Sequence, residues 1–166
     1  MSKNNTLSTK FDELLQGQIR SEFHAVQQYL AIAVYFDNDD LPQLAKFFYH
    51  HAHEEREHAM KIVKYFIDRH FAVEIPGTGE VRNKFDSPRD AIGLALEFER
   101  TVTKECIALS AAARDEGDYL GEQLMWWFLG EQVEEEAVMT TLLNVAERAG
   151  DNRFDLEEFV ARDINS

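Results

Sequence analysis

A chain of 166 residues and 19.2 kDa, 45% hydrophobic and 29% charged, has enough apolar surface to build one folded domain with a full core, expected to span residues 1–166. A net charge of −14 with no basic patch argues against nucleic acid or anionic membranes as partners, and no apolar run approaches the roughly 18 residues of a membrane span. The single Cys106 leaves no internal disulfide, and the opening MSKNNTLSTKFDEL has no apolar signal core, so the expected location is the cytoplasm.

Four long helical segments and a short fifth are predicted, so the fold class is all-α. The first opens at Ser8 or Thr9, with Asp12 in its first turn, and carries Phe11, Leu15, Ile19, Val26, Tyr29 and Ala33 at helical spacing to about Phe36. Asp39 or Asp40 is the expected N-cap of a second helix that ends near His70 and shows Leu44, Phe48, Ala52, Ile62 and Phe66. Residues 70–87, with Pro76-Gly77 at their centre, form a connection that is long for a compact domain. Ser87-Pro88 then starts a third helix bearing Ile92, Ala95, Val102, Cys106, Leu109 and Ala113. Gly117 ends it, and Asp118 caps a fourth helix with Leu124, Phe128, Met139, Leu142 and Ala146. Gly150 closes that helix, and residues 153–164 form the short fifth.

These lengths imply a topology. A helix of about 28 residues is ~42 Å long. Short turns make antiparallel hairpins of helices one and two and of helices three and four. A connection the length of residues 70–87 reaches ~60 Å when extended, enough to cross the bundle lengthwise. The predicted architecture is a four-helix bundle, about residues 9–149, with one long crossover.

Each apolar stripe is interrupted once by polar residues, near the middle of its helix. The interruptions are Glu22 in the first, Glu55 and His58 in the second, Glu99 in the third, and Gln132 and Glu135 in the fourth. Glutamates converging in a dry core would be driven neutral by desolvation and mutual repulsion. No basic residue occupies these inward positions, so metal ions are the simplest counter-charge. Two divalent ions balance four carboxylates, and carboxylates with one imidazole suit iron or manganese and also accept zinc. The remaining histidines of HHAHEEREHAM, namely His50, His51 and His53, are assigned to a solvated face or turn. Tyr29 is either core packing or a partner of the ligands and an electron donor; Trp127, one turn before Glu131, allows the same two readings. Cys106 reads as a small core hydrophobe. Zinc-protease motifs are absent, since HExxH starting at His53 meets Glu57, and HxxEH ending at His58 would need histidine where Glu54 stands.

The combination of Glu22, Tyr29, EREH from Glu55 to His58, Glu99 and EQVEE from Glu131 to Glu135, with the crossover and fifth helix, resembles the ferritins, and most closely the bacterial non-haem ferritins. Ferritin-like di-iron carboxylate proteins carry a related pattern, a glutamate from each of two helices and Glu-x-x-His from each of the other two. The resemblance implies a ferroxidase centre: Glu22, Glu55 and His58 hold one iron, Glu55 bridges, Glu99 holds the second, and Gln132 lies beside it. It also implies a third, looser iron site at Glu54, Glu131, Glu134 and Glu135. Two departures from the bacterioferritins stand out. Gln132-x-x-Glu135 replaces their second Glu-x-x-His, and Arg56 replaces the haem-ligating methionine, so no haem is expected.

The implied function is oxidation of Fe(II) by O2 or H2O2 and storage of the ferric oxide within a homo-oligomeric shell of 24 chains. The segment Arg114 to Glu122 borders an iron channel or merely caps helices. Two other readings remain open: a di-iron oxidase or peroxidase that retains its metals, and a non-enzymatic bundle stapled by metal.

Overall fold

A computed structural model describes residues 9–166 and contains helices and turns only. The long helices are α1 (Lys10–Asn38), α2 (Pro42–Asp68), α3 (Pro88–Asp115) and α4 (Tyr119–Ala149). The short α5 (Arg153–Phe159) runs on into a single wider π turn, Val160–Ile164. Helix α1 packs along α2, α3 along α4, and α1 against α3. None of these helices is long and apolar enough to cross a membrane.

Most helix ends are set by local chemistry. Thr9 caps α1, its hydroxyl accepting from the Asp12 amide at 3.1 Å; the alternative cap, Ser8, lies outside the described residues. Ser87 caps α3 through the Asp90 amide, with Pro88 in the first turn, and Asp118 caps α4 through the Gly121 amide. Gly117 and Gly150 follow α3 and α4 at φ +68° and +56°, a left-handed backbone that needs no side chain to be accommodated.

The start of α2 departs from expectation. Neither Asp39 nor Asp40 caps it. Asp40 sits in the turn at φ +57°, Leu41 holds the cap position without a side-chain bond, and Pro42 follows. The free amides are satisfied from far along the chain: the Glu157 carboxylate of α5 accepts from Gln43 N at 2.9 Å and Leu44 N at 2.7 Å. Asn165 adds a bond to the Gln43 carbonyl, and Arg153 pairs with Asp39. The short fifth helix is thereby a cap for α2. A Glu157→Ala protein should lose roughly 1 kcal/mol of stability, seen as a lower thermal midpoint than that of Glu158→Ala.

The crossover is held against α1 by two glutamines that act as substitute strands. Gln16 donates to the Glu74 carbonyl at 2.7 Å and accepts from its amide at 3.2 Å. Gln28, itself buried, treats Arg82 in the same way at 2.8 and 2.9 Å. These clamps satisfy backbone groups that a loop packed on a helix would otherwise leave unpaired.

The core falls into two clusters. One holds Phe11, Leu15, Ile19, Ile62, Phe66, Val102, Cys106 and Phe128; the other holds Tyr29, Phe36, Phe48, Ala52, Ala95, Met139 and Leu142, and is closed by Leu156 and Val160 of the C-terminal segment. Between them lies a layer of buried polar side chains. Val26 and Leu124 are only half-buried, and Ala25 and Met125 take the inward places. Four straight helices drift relative to a fixed repeat, so the stripe that faces the core shifts by one residue along its length.

Candidate metal centre

The polar layer draws on all four long helices. Glu22 of α1, Glu55 and His58 of α2, Glu99 of α3, and Gln132 and Glu135 of α4 are all buried, each at 7% exposure or less. Glu22, Glu55 and His58 place one ligand atom each within 4.8 Å of one another, and so do Glu55, Glu99 and Glu135. Glu55 belongs to both groups and stands where it can serve two ions at once. His58 Nδ1 faces the first group, 3.4 Å from Glu55 and 4.0 Å from Glu22. Its ring is held edge-on by Trp127 and Phe128.

Hydrogen bonds orient the carboxylates without neutralising them. Gln18 Nε2 donates to Glu22 Oε1 at 2.9 Å, while Glu22 Oε2 remains buried and unpartnered. The Tyr29 hydroxyl donates to Glu99 Oε1 in a short bond, and Gln132 Nε2 donates to Glu99 Oε2 at 3.0 Å. The Thr103 hydroxyl, one turn further along α3, lies 3.0 Å from the Glu99 carbonyl and 2.5 Å from a Glu136 carboxylate oxygen, either of which can accept its single proton. With both oxygens of Glu99 occupied by donors, its orientation is set before any ion arrives.

The electrostatics follow from burial. Desolvation, and then the neighbouring Glu55 carboxylate, hold Glu22 well above the ordinary carboxylate range; Glu55 is raised by desolvation and by Glu99. Desolvation and Glu99 push Glu135 up to about 8. Burial and Glu99 also drive the Tyr29 phenol far above its usual range, so it is a hydrogen-bond donor at any physiological pH. The Cys106 thiol is raised by burial and lies fully within the core, as its place in the α3 stripe suggests. Among the described residues, the ion-pair contacts of Glu22, Glu55 and Glu135 are with His51 and His58 and not with a lysine or arginine. Such a layer has the donor set and the missing positive charge of a site for divalent cations.

A family model for the Ferritin-like domain matches residues 12–149 of this chain. A Mycolicibacterium smegmatis protein named Ferritin BfrB is 60% identical over 166 residues, covering 100% of this chain and 92% of that protein. The chain belongs to the ferritin-like family. Mycobacterium tuberculosis proteins named Ferritin BfrB or Bacterioferritin BfrB are 62% identical over 157 residues, 95% of this chain and 87% of theirs. The Bacterial non-heme ferritin of Staphylococcus aureus is 36% identical over 146 residues, 88% of each chain. Among solved structures, the open pore ferritin of Archaeoglobus fulgidus superposes with a TM-score of 0.89 at 30% identity, covering 93% of this chain and 94% of that one. The bundle, its crossover and its fifth helix are thus those of a ferritin-like fold.

Of the residues expected at a third ferritin iron site, Glu54, Glu131 and Glu134 all act electrostatically on Glu135, and Glu54 shares a group within 4.8 Å with it. Glu135 is buried and Glu54 half-buried, whereas Glu131 lies 3.9 Å from His58 Nε2 and Glu134 points into solvent. His51 differs from its expected solvated position. It is 8% exposed and, with Glu54 and Glu135, forms a third group within 4.8 Å. Its place exactly one turn before Glu55 was a readable signal, because positions 51, 55 and 58 share a helix face. His50 and His53 are exposed, as expected. Gln18, one turn before Glu22, and Thr103, one turn after Glu99, carry the same signal.

Proposed function

We propose that this ferritin-family chain binds Fe(II) at the buried carboxylate layer, oxidises it with O2 or H2O2, and stores the product as ferric oxyhydroxide inside a homo-oligomeric shell. The observation that carries the reading is the meeting of Glu22, Glu55, His58, Glu99 and Glu135 between two apolar clusters, with no cationic side chain among them. In this reading Fe(II) is the substrate. Glu22, Glu55 and His58 take one ion, and Glu55, Glu99 and Glu135 take the other. The carboxylates favour the ferric product because they are hard anionic donors, and the electrons released by the two ions pass to the oxidant. Tyr29, bonded to Glu99, keeps that ligand aligned and stands close enough to supply a further electron. Trp127, against the His58 ring, has the same capacity.

Gln132 supports turnover in preference to retention. Its amide group donates to Glu99 where a histidine would coordinate, so the second ion is held by carboxylates alone. The reading further takes residues 1–166 as one domain, the assembly as 24 chains, the location as the cytoplasm, and the protein as free of haem, since Arg56 is exposed and is no haem ligand. Its other partners are Fe2+ and the oxidant alone.

The test is to load metal-free protein with Fe(II) in air while recording oxygen uptake, then to count iron per chain after size exclusion. Iron far beyond three per chain in a shell-sized particle is expected. A count that stops at two or three would indicate an oxidase that keeps its metals. Metal binding without oxygen uptake would indicate a structural staple.

A further inference from the structure

We infer that the groove between α2 and α4, beside the candidate metal centre, binds a small flat aromatic anion, with its rings on Trp127 and Leu120 and its charge on Lys61. The groove has a volume of about 380 Å3, within the range of small-molecule sites. Its walls include Lys61, Tyr65 and Arg69 on α2 and Leu120, Leu124 and Trp127 on α4, and no carboxylate lines it.

Helical spacing builds these walls. Positions 61, 65 and 69 follow one another by single turns along α2, and 120, 124 and 127 do the same on α4, so each set is a ridge roughly 10–12 Å long. The two ridges run in opposite directions. Lys61 Nζ lies 4.0 Å from the centre of the Trp127 ring at one end, and Arg69 pairs with Asp118 at 3.1 Å near the other. The ends differ in free charge. Asp118 and the Tyr65 hydroxyl already engage Arg69. Lys61 has no carboxylate partner among the described residues, and its place over an aromatic face leaves its ammonium hydrogens free to donate. On a chain of net charge −14 this groove therefore attracts the anions that the surface as a whole repels. Two cations without a carboxylate also make it a poor seat for a divalent metal. Beside Lys61 the groove is apolar: Trp127 is 38% exposed and Leu120 60%, surface that a flat ring would take out of water. The ring faces of Trp127 and Tyr65 favour an aromatic body over an alkyl chain. Trp127 also packs edge-on against His58, ring centroids 5.5 Å apart, so a seated ligand lies one ring away from the candidate centre.

Anilinonaphthalene sulfonate, an aromatic anion, is the probe, and phenylnaphthylamine, the same rings without the sulfonate, is its neutral control. Both would be titrated into intact, assembled, metal-free protein while the emission of Trp126 and Trp127, the chain's two tryptophans, is followed. Saturable binding of the sulfonate with quenching of that emission is expected, on the order of 10-fold tighter than the neutral control. Lys61→Met keeps the apolar wall and removes the charge, and should bring both probes to the same weak affinity. Lys64→Met, at an exposed lysine paired with Asp68 outside the groove, should change neither. Octyl sulfate, an anion without rings, should displace the sulfonate probe only at a concentration on the order of 10-fold higher than the probe's own. No saturable binding, equal affinity of the wild type for the two probes, or wild-type affinity of the sulfonate for Lys61→Met overturns the inference. A loss in Lys64→Met as large as that in Lys61→Met, or displacement by octyl sulfate at equal concentration, overturns it as well.

Discussion

Glu55→Gln is expected to abolish rapid iron oxidation while making the metal-free protein more stable. Glu55 is the one carboxylate common to the Glu22–Glu55–His58 and Glu55–Glu99–Glu135 groups, so in the proposed function its loss strips a ligand from each ion. Changes beyond the ligands of a metal site typically cost 10–100-fold, and loss of a shared ligand should lower the initial rate of Fe(II) oxidation on the order of 100-fold or more. The stability change has the opposite sign. Without metal, Glu55 is desolvated and repelled by Glu99. An amide of the same shape removes that penalty, for an expected gain of about 1–3 kcal/mol. Stopped-flow oxidation and calorimetry of metal-free protein test the two halves. A variant that oxidises iron normally, or whose metal-free form melts earlier than the wild type, would rule out a charge-strained layer awaiting cations.

The second large effect is on pH. Folding raises the pKa of Glu135 to about 8 from the ordinary 4.5, and it raises those of Glu22 and Glu55 in the same direction. The folded metal-free protein therefore binds protons that the unfolded chain releases. The associated stability is fully present below about pH 4.5 and, for Glu135, is lost as pH rises through about 8. The slope is ~1.4 kcal/mol per pH unit for each proton so held. Metal-free protein should melt progressively earlier from pH 5.5 to 8.5, and Glu135→Gln should flatten the curve. Bound Zn2+ should flatten it too, because the cation replaces the protons. Proton release on Zn2+ binding at pH 7, measured by calorimetry in buffers of different ionisation enthalpy, is the independent check. Zinc binding without proton release would contradict the raised carboxylates.

The bundle was legible because its signals are local. Each long helix shows an apolar repeat, and Thr9, Ser87 and Asp118 cap their helices from within a few residues. The turn before α2 differs from its sequence expectation for the complementary reason. Asp39 and Asp40 look like caps, but the groups that satisfy those amides sit on Glu157, more than a hundred residues away. The clamps of Gln16 and Gln28 on the crossover were invisible for the same cause, since a glutamine on a helix face carries no mark of the loop that will lie across it.

The candidate centre divides along the same line. Glu22, Glu55, His58, Glu99, Gln132 and Glu135 stand out because each breaks an apolar stripe, and a polar residue on a buried face has a cost that the sequence alone exposes. His51 shares the α2 face of Glu55 and His58, but it lies among other histidines, and its packing on Phe47 and its approach to Glu135 show only in the folded chain. By itself the sequence determined which helices form, how they pair and which carboxylates face inward, because periodicity and charge burial act over one or two helical turns. Tertiary structure alone decided that Glu134 stays in solvent and that His51 faces Glu135, because those relations depend on the rotation of one helix against another.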